Sequence, residues 1–302
     1  MASYSAAARS AKPDLYESVT SRIIEALDNG AVPWRCPWDR YRGLPRNLTS
    51  GKDYRGVNVF LLSLVRHCTG YESPFWLTYK QAKEHGGHVR KGEKGTGVVF
   101  WKWFDKDTGR TNDDGEPVKD RLPVLRHYTV FNVDQCDGIE PPETANVSRH
   151  DWQPLAECER IVETMPDRPE IREGTGRACY IPSADRVEMP HRHRFAQPEA
   201  WYGTLFHELT HSTGHEKRIN RRASDDVRAF GDADYSREEL VAEMGAAFLC
   251  GHVGIDGATL DQSAAYLKGW IDVLKGDSRM VVTAAAQAQK AADFILDRKF
   301  ED

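Results

Sequence analysis

Apolar residues at positions 15, 16, 19, 23, 24 and 27 recur at helical spacing. That pattern predicts a helix from Leu15 to Leu27, ended by Gly30 and Pro33. Similar spacing predicts a helix over Val57–Val65 and a short one over Trp76–Glu84, stopped by Gly86-Gly87. The β-branched and aromatic run Val98–Phe104 favours a strand, as does His127–Val133. Between them, the polar, glycine-containing stretch Lys106–Glu116 reads as an exposed, mobile loop.

A Pro-rich polar segment, Asp137–Asn146, follows the second strand and places a domain boundary between about 138 and 152. Beyond it, the periodicity predicts a helix over Trp152–Thr164 and a strand over Ala178–Ile181. Helices follow over Glu199–Ser212, Glu238–Leu249, Asp261–Leu274 and Met280–Leu296. Pro198 suits the first turn of the Glu199–Ser212 helix and Gly214 its end. The expected class is α+β: an α+β domain over residues 1–140, then a mostly helical domain over 150–302 with a small sheet.

The composition supports two soluble domains, each with its own core: 302 residues, 40% hydrophobic and 29% charged. No apolar run approaches the roughly 20 residues that span a bilayer. The first residues are small and polar, without the apolar stretch of a signal peptide, so a cytoplasmic location and no membrane contact are expected. Six cysteines form no C-x-x-C pair. That argues against a zinc ribbon, a thioredoxin-type site or a zinc deaminase, and leaves buried or inert thiols. The net charge of −5 is uneven. Residues 1–150 carry 22 Lys+Arg against 19 Asp+Glu, and the remainder 19 against 27. A mildly basic front half and an acidic back half point to different partners.

The chemistry concentrates at His207-Glu208-Leu209-Thr210-His211. Two histidines four apart project from one side of a helix and can bind one metal. Glu208 stands beside the first of them, where a carboxylate can accept a proton from a metal-activated water and return it to a leaving amine. One Zn²⁺ per chain is expected, with Mn²⁺ or another divalent ion as an alternative. A solvent-exposed helix that happens to carry the motif is the competing explanation. The flanking apolar Phe206 and Leu209 argue against it by giving that helix a buried side.

A catalytic zinc usually takes three protein ligands. The metzincin spacing would put the third at position 217, which is Lys217, and His215 falls two residues short. Glu239 and Glu243, four apart on the next helix, share a face opposite Leu240, Ala247 and Phe248. One can ligate the metal while the other holds a ligand histidine by its free ring N–H. Glu239 is preferred as ligand and Glu243 is the alternative. Ser236-Arg237-Glu238-Glu239 also fits a capping box, in which Glu239 would only cap its own helix.

In the front half, Trp76–Gly95 mixes basic residues, aromatics and glycines. Trp76 and Tyr79 are candidates to stack on bases, and Lys80, Lys83, Arg90, Lys91 and Lys94 to meet phosphates, with the glycines admitting close backbone approach. The opposing explanation is a solvated turn with Trp76 and Trp101 in the core.

Several ordered segments resemble ArdC-type antirestriction proteins of conjugative plasmids and the related N-terminal regions of plasmid primases. They are Ala31-Val32-Pro33-Trp34, Asn47–Asn58, Trp76–Ala82 and Val89–Gly95 in the front half, and Phe206–Gly214, Glu238–Ala246 and Ala284–Ala292 in the back. The resemblance implies a domain that binds single-stranded DNA with little sequence preference, followed by a zincin-like (gluzincin-like) metallopeptidase domain. It also implies protection of incoming plasmid DNA from host restriction during conjugation. A protein substrate is implied without being named, a host restriction component being one candidate. The E-x-x-A-[DN] signature of several zincin families is matched by Glu239-Leu240-Val241-Ala242, with Glu243 in place of Asp or Asn. Two rival functions remain: DNA shielding with a structural or vestigial metal site, and a metal-dependent nuclease. The two-His, one-Glu set suits the nuclease poorly.

Overall fold

The computed structural model describes residues 14–35, 44–111, 117–142, 154–221, 233–255 and 264–298. The front half begins with α1 (Leu15–Asp28), β1 (Arg46–Asn47), α2 (Val57–Thr69), β2 (Phe75–Leu77) and α3 (Tyr79–Glu84). It continues with β3 (His88–Val89), β4 (Thr96–Thr111), β5 (Pro117–Asn132) and β6 (Cys136–Asp137). The back half contains α4 (Pro154–Thr164), β7 (Glu170–Glu173), β8 (Cys179–Ile181) and β9 (Arg186–Met189). Its remaining helices are α5 (Pro198–Ser212), α6 (Ala233–Val253), α7 (Ala264–Gly276) and α8 (Met280–Ile295). The α+β class holds, and the back half is mostly helical with one small sheet.

Three sheets organise the described strands: β1-β2-β5-β4, β3-β6 and β7-β9-β8. In the first, β1 lies parallel to β2, while β2, β5 and β4 pair antiparallel. In the third, β8 occupies an edge.

Two local expectations change. The predicted helix over Trp76–Glu84 is a strand followed by a helix. Phe75-Trp76-Leu77 are all buried in β2, and the helix starts only after Thr78. Thr78 Oγ1 accepts from the Gln81 N–H at 3.2 Å, and Gln81 Oε1 accepts from the Thr78 N–H at 2.8 Å. This reciprocal capping box sets the start. The loop expected over Lys106–Glu116 is instead ladder as far as Thr111, with Lys106 paired to Asp120 and Arg110 to Val118 across a register shift. The stretch lacks the apolar alternation that marks a half-buried strand, so its polar composition reads as a loop. Residues 112–116 lie outside the described ones.

The two halves share their main core. Val19, Ile23 and Leu27 of α1, Trp34, and Phe60 and Leu61 of α2 belong to the same buried cluster as α5, α6, α7 and α8. Phe60 stacks on Phe248 with ring centroids 4.8 Å apart, and Trp34 meets Trp270 edge-on at 5.8 Å. Polar ties cross as well: Thr20 Oγ1 donates to Ser278 O at 2.7 Å, and Arg55 pairs with Asp293. Two smaller clusters, around Trp76 and around Leu77, belong to the front half alone. Among the described cysteines, Cys136, Cys158 and Cys250 are buried and Cys68 is exposed. Cys36 lies outside the described residues.

Small residues bring the site helices together. Ala284, Ala285, Ala288 and Ala291 give α8 a buried surface without bulk. Gly245 of α6 faces Thr210 of α5 so closely that a Cβ there would lie 2.5 Å from Thr210 Cγ2.

Candidate metal centre

Proline at the first turn fits α5 because that turn leaves its N–H groups without helical partners. The helix is buried along most of its length, including Phe206, Glu208, Leu209 and His211. His207 and His211 lie one turn apart, with their Nε2 atoms separated by 3.0 Å. From α6, Glu239 Oε2 comes within 3.6 Å of His207 Nε2, and Oε1 within 3.5 Å of His211 Nε2. Donors about 2.0–2.2 Å from a tetrahedral zinc stand roughly 3.4 Å from one another, and these separations bracket that value. The three residues also form the metal-capable cluster found among the described residues. Two imidazoles and a carboxylate fit a divalent ion of the zinc type.

Glu239 does not cap its helix. The capping-box explanation needs Ser236 to be the N-cap, but α6 already begins at Ala233. Ser236 therefore sits inside the helix, and the Glu239 side chain points to the histidines.

The anchor of His211 corrects an expectation. Its Nδ1 lies 3.1 Å from Glu238 Oε1, an acid not singled out in the sequence. Glu238 Oε1 also accepts from Arg221 at 2.6 Å, and Arg221 in turn reaches Thr210 O at 2.8 Å and Thr213 Oγ1. A proton on Nδ1 facing Glu238 leaves the Nε2 lone pair for a metal. Glu243 Oε2 accepts instead from Trp34 Nε1 at 2.9 Å, tying the Ala31–Trp34 segment to the site helix. For His207, burial pulls the pKa down. The hydrogen bond to Glu239 and the charges of Glu208, Glu239 and Glu243 more than offset it, and the net shift is upward.

Glu208 is buried, and its Oε2 accepts from the Tyr180 backbone N–H at 2.8 Å. Tyr180 belongs to edge strand β8, and its position is fixed from behind. Its hydroxyl donates to Asp185 at 2.9 Å, and the buried Arg218 reaches that hydroxyl, Asp185 and Ser212 O. Burial and the Asp185 carboxylate push the Tyr180 phenol up to about 12. The end of α5 and strand β8 are thereby held in register. Neither Tyr180 nor Glu238 is marked in the sequence, since a backbone N–H has no residue signature and Glu238 is one acid among several.

The front-half candidates separate. Trp76 is fully buried, edge-on to Tyr71, so no base can stack on it. Tyr79 is 50% exposed, with Lys83 Nζ 5.1 Å from its ring centre. Lys80 pairs with Glu84 at 3.4 Å, and Lys91 and Lys94 are exposed. Arg90 is engaged with Glu93, Asp137 and Asp134 O, which makes it a brace between β3 and the Val133–Asp137 turn. Gly87 and Gly95 are packed against Asp137 O and Thr129, leaving only Gly86 and Gly92 open to close approach.

Two family models match the chain. Residues 13–131 match the N-terminal domain of anti-restriction factor ArdC, and residues 156–287 match a zincin-like metallopeptidase. Crystal structures of the antirestriction protein ArdC from the R388 plasmid, metal-free and Mn(II)-bound, align with a TM-score of 0.73 at 38% identity. They cover 94% of this chain and 97% and 98% of theirs. The chain belongs to the ArdC family of antirestriction proteins. Another relative, protein y4eC of Sinorhizobium fredii, is 36% identical over 93% of this chain and 91% of its own length. DNA primase TraC of Escherichia coli is 36% identical over 94% of this chain, which spans only 27% of that primase. Among the described residues no helix is long and apolar enough to cross a membrane.

Proposed function

We propose that this member of the ArdC family binds single-stranded DNA through its front half, about residues 1–140. Its back half, about 150–302, acts as a divalent-metal peptidase, and the whole chain protects incoming plasmid DNA from host restriction during conjugation in the cytoplasm. The observation that carries the peptidase reading is the placement of Glu208. A carboxylate held by the Tyr180 N–H, beside two imidazoles and Glu239, is more than a structural site requires. Family membership supports the antirestriction role, and the exposed Tyr79, Lys83, Lys91 and Lys94 support contact with a polyanion.

His207, His211 and Glu239 would hold the ion, with zinc the best match to the donor set. When bound, such an ion lowers the pKa of a water and polarises a carbonyl. Glu208 takes the proton of the attacking water on its free oxygen and hands it to the leaving amine. Glu238 and Arg221 keep the His211 ring turned to the ion.

The test is conjugation into a restricting host with wild-type chain and Glu208→Gln. Loss of protection in the variant, with DNA binding retained, supports a hydrolytic role. Equal protection by both assigns the function to DNA shielding alone.

A further inference from the structure

Beyond Val98, the β4–β5 ribbon carries a face on which Phe100, Leu122, Val124 and Tyr128 are exposed. Register places Val98 opposite Tyr128, Phe100 opposite Arg126, Lys102 opposite Val124 and Phe104 opposite Leu122. Successive strand residues alternate between faces, so these eight side chains share one. At its inner end, Val98 is buried under α2 with Leu62 and Trp76. Farther out the face opens: Phe100 is 39% exposed and Tyr128 37%. Their rings lie 5.3 Å apart, tilted by 58°. Lys102 Nζ stands 5.2 Å from the Phe104 ring centre, and the Arg126 guanidinium 5.5 Å from the same ring. No described side chain on this face is acidic. The opposite face is occupied, with Val99 and Leu125 in the main core and Trp101 against Tyr16.

Exposed rings interleaved with cations suit an occupant with flat apolar faces and negative charge. A protein partner could cover the rings but gives no reason for Lys102 and Arg126 standing beside them. A single nucleic-acid strand supplies both features, bases for the rings and phosphates for Lys102 and Arg126. Duplex DNA does not, because its bases are already stacked.

We propose that this ribbon face is the base-stacking platform for single-stranded nucleic acid, with Phe100 and Tyr128 carrying bases and Lys102 and Arg126 meeting the backbone. The proposal rests on the reading that the chain binds single strands. It moves the stacking role from the buried Trp76 to the ribbon.

The experiment uses the full chain and a fluorescent oligothymidylate, read by anisotropy across a salt series, with a duplex of equal length beside it. Phe100→Ala with Tyr128→Ala should weaken single-strand binding at least about tenfold. Lys102→Ala with Arg126→Ala should reduce the slope of log K against log salt by about 1.4. Tyr128→Phe keeps a ring and should bind nearly as wild type. Thermal unfolding checks that the variants fold, and photocrosslinking of wild type to a bromodeoxyuridine strand gives an assignment free of substitution. Adducts should fall within residues 96–130. Wild type that binds no single strand at low salt would sink the DNA reading itself. Wild type that binds, with ring variants equally tight or adducts only elsewhere, would overturn the ribbon assignment alone. So would a dimer of wild type that the ring variants dissolve without weakening DNA binding.

Discussion

Glu208 takes the backbone N–H of Tyr180 on one carboxylate oxygen, so the residue beside the first histidine is aimed by an edge strand. A main-chain donor cannot be lost by substituting a side chain, and it holds the carboxylate without neutralising it. Glu208→Gln can keep this bond through its amide oxygen. The variant should retain about one metal per chain and an unchanged unfolding midpoint while losing peptide hydrolysis. Loss of metal equal to that of His207→Ala would reassign Glu208 from base to ligand.

His211 depends on Glu238, and Glu238 on Arg221. Removing the partner that orients a ligand histidine typically costs about 10–100-fold in metal affinity. Glu238→Ala should fall in that range by competitive chelator titration. Glu238→Gln, which can still accept from the ring, should lose less. Equal affinity in Glu238→Ala and wild type would remove the positioning role.

Gly245 sets the distance between the helices that carry the proposed ligands. A methyl group there meets the branched Thr210 side chain, next to His211, and neither helix can yield freely in a filled core. Gly245→Ala should destabilise the chain by about 1–3 kcal/mol in chemical denaturation. It should also weaken metal binding, because widening α5 from α6 draws Glu239 from the histidines. Pairing it with Thr210→Ser, which removes the clashing methyl, should restore part of both.

Much of this was legible along the chain. Helix α5 follows from its periodicity, Pro198 and the buried flanks of the histidines. The spacing marks His207 and His211 and narrows the third ligand to Glu239 or Glu243, and the fold then brings Glu239 to the two histidines. The failures share one cause: they depend on tertiary partners. Trp76 in a basic, aromatic segment looks available to a base, yet a three-residue strand between β1 and β5 buries it. The outer ribbon is polar on both sides and so carries no strand signal until its partner is seen. Glu238 resembles its acidic neighbours until the fold brings Arg221 and His211 to it. The front helices pack with the back half through Trp34 and Phe60, which no linker composition reveals.

In the proposed site His207, His211 and Glu239, rather than Glu243, hold the metal. The direct measurement is metal content and affinity by mass spectrometry and chelator competition on wild type, Glu239→Ala and Glu243→Ala. Wild type should carry about one divalent ion per chain. Glu239→Ala should carry almost none while still folding. Glu243→Ala should keep most of its metal but unfold more readily, by about 1–3 kcal/mol, because the buried Trp34 Nε1 loses its acceptor. The reverse order, with metal lost from Glu243→Ala and retained in Glu239→Ala, would contradict the account.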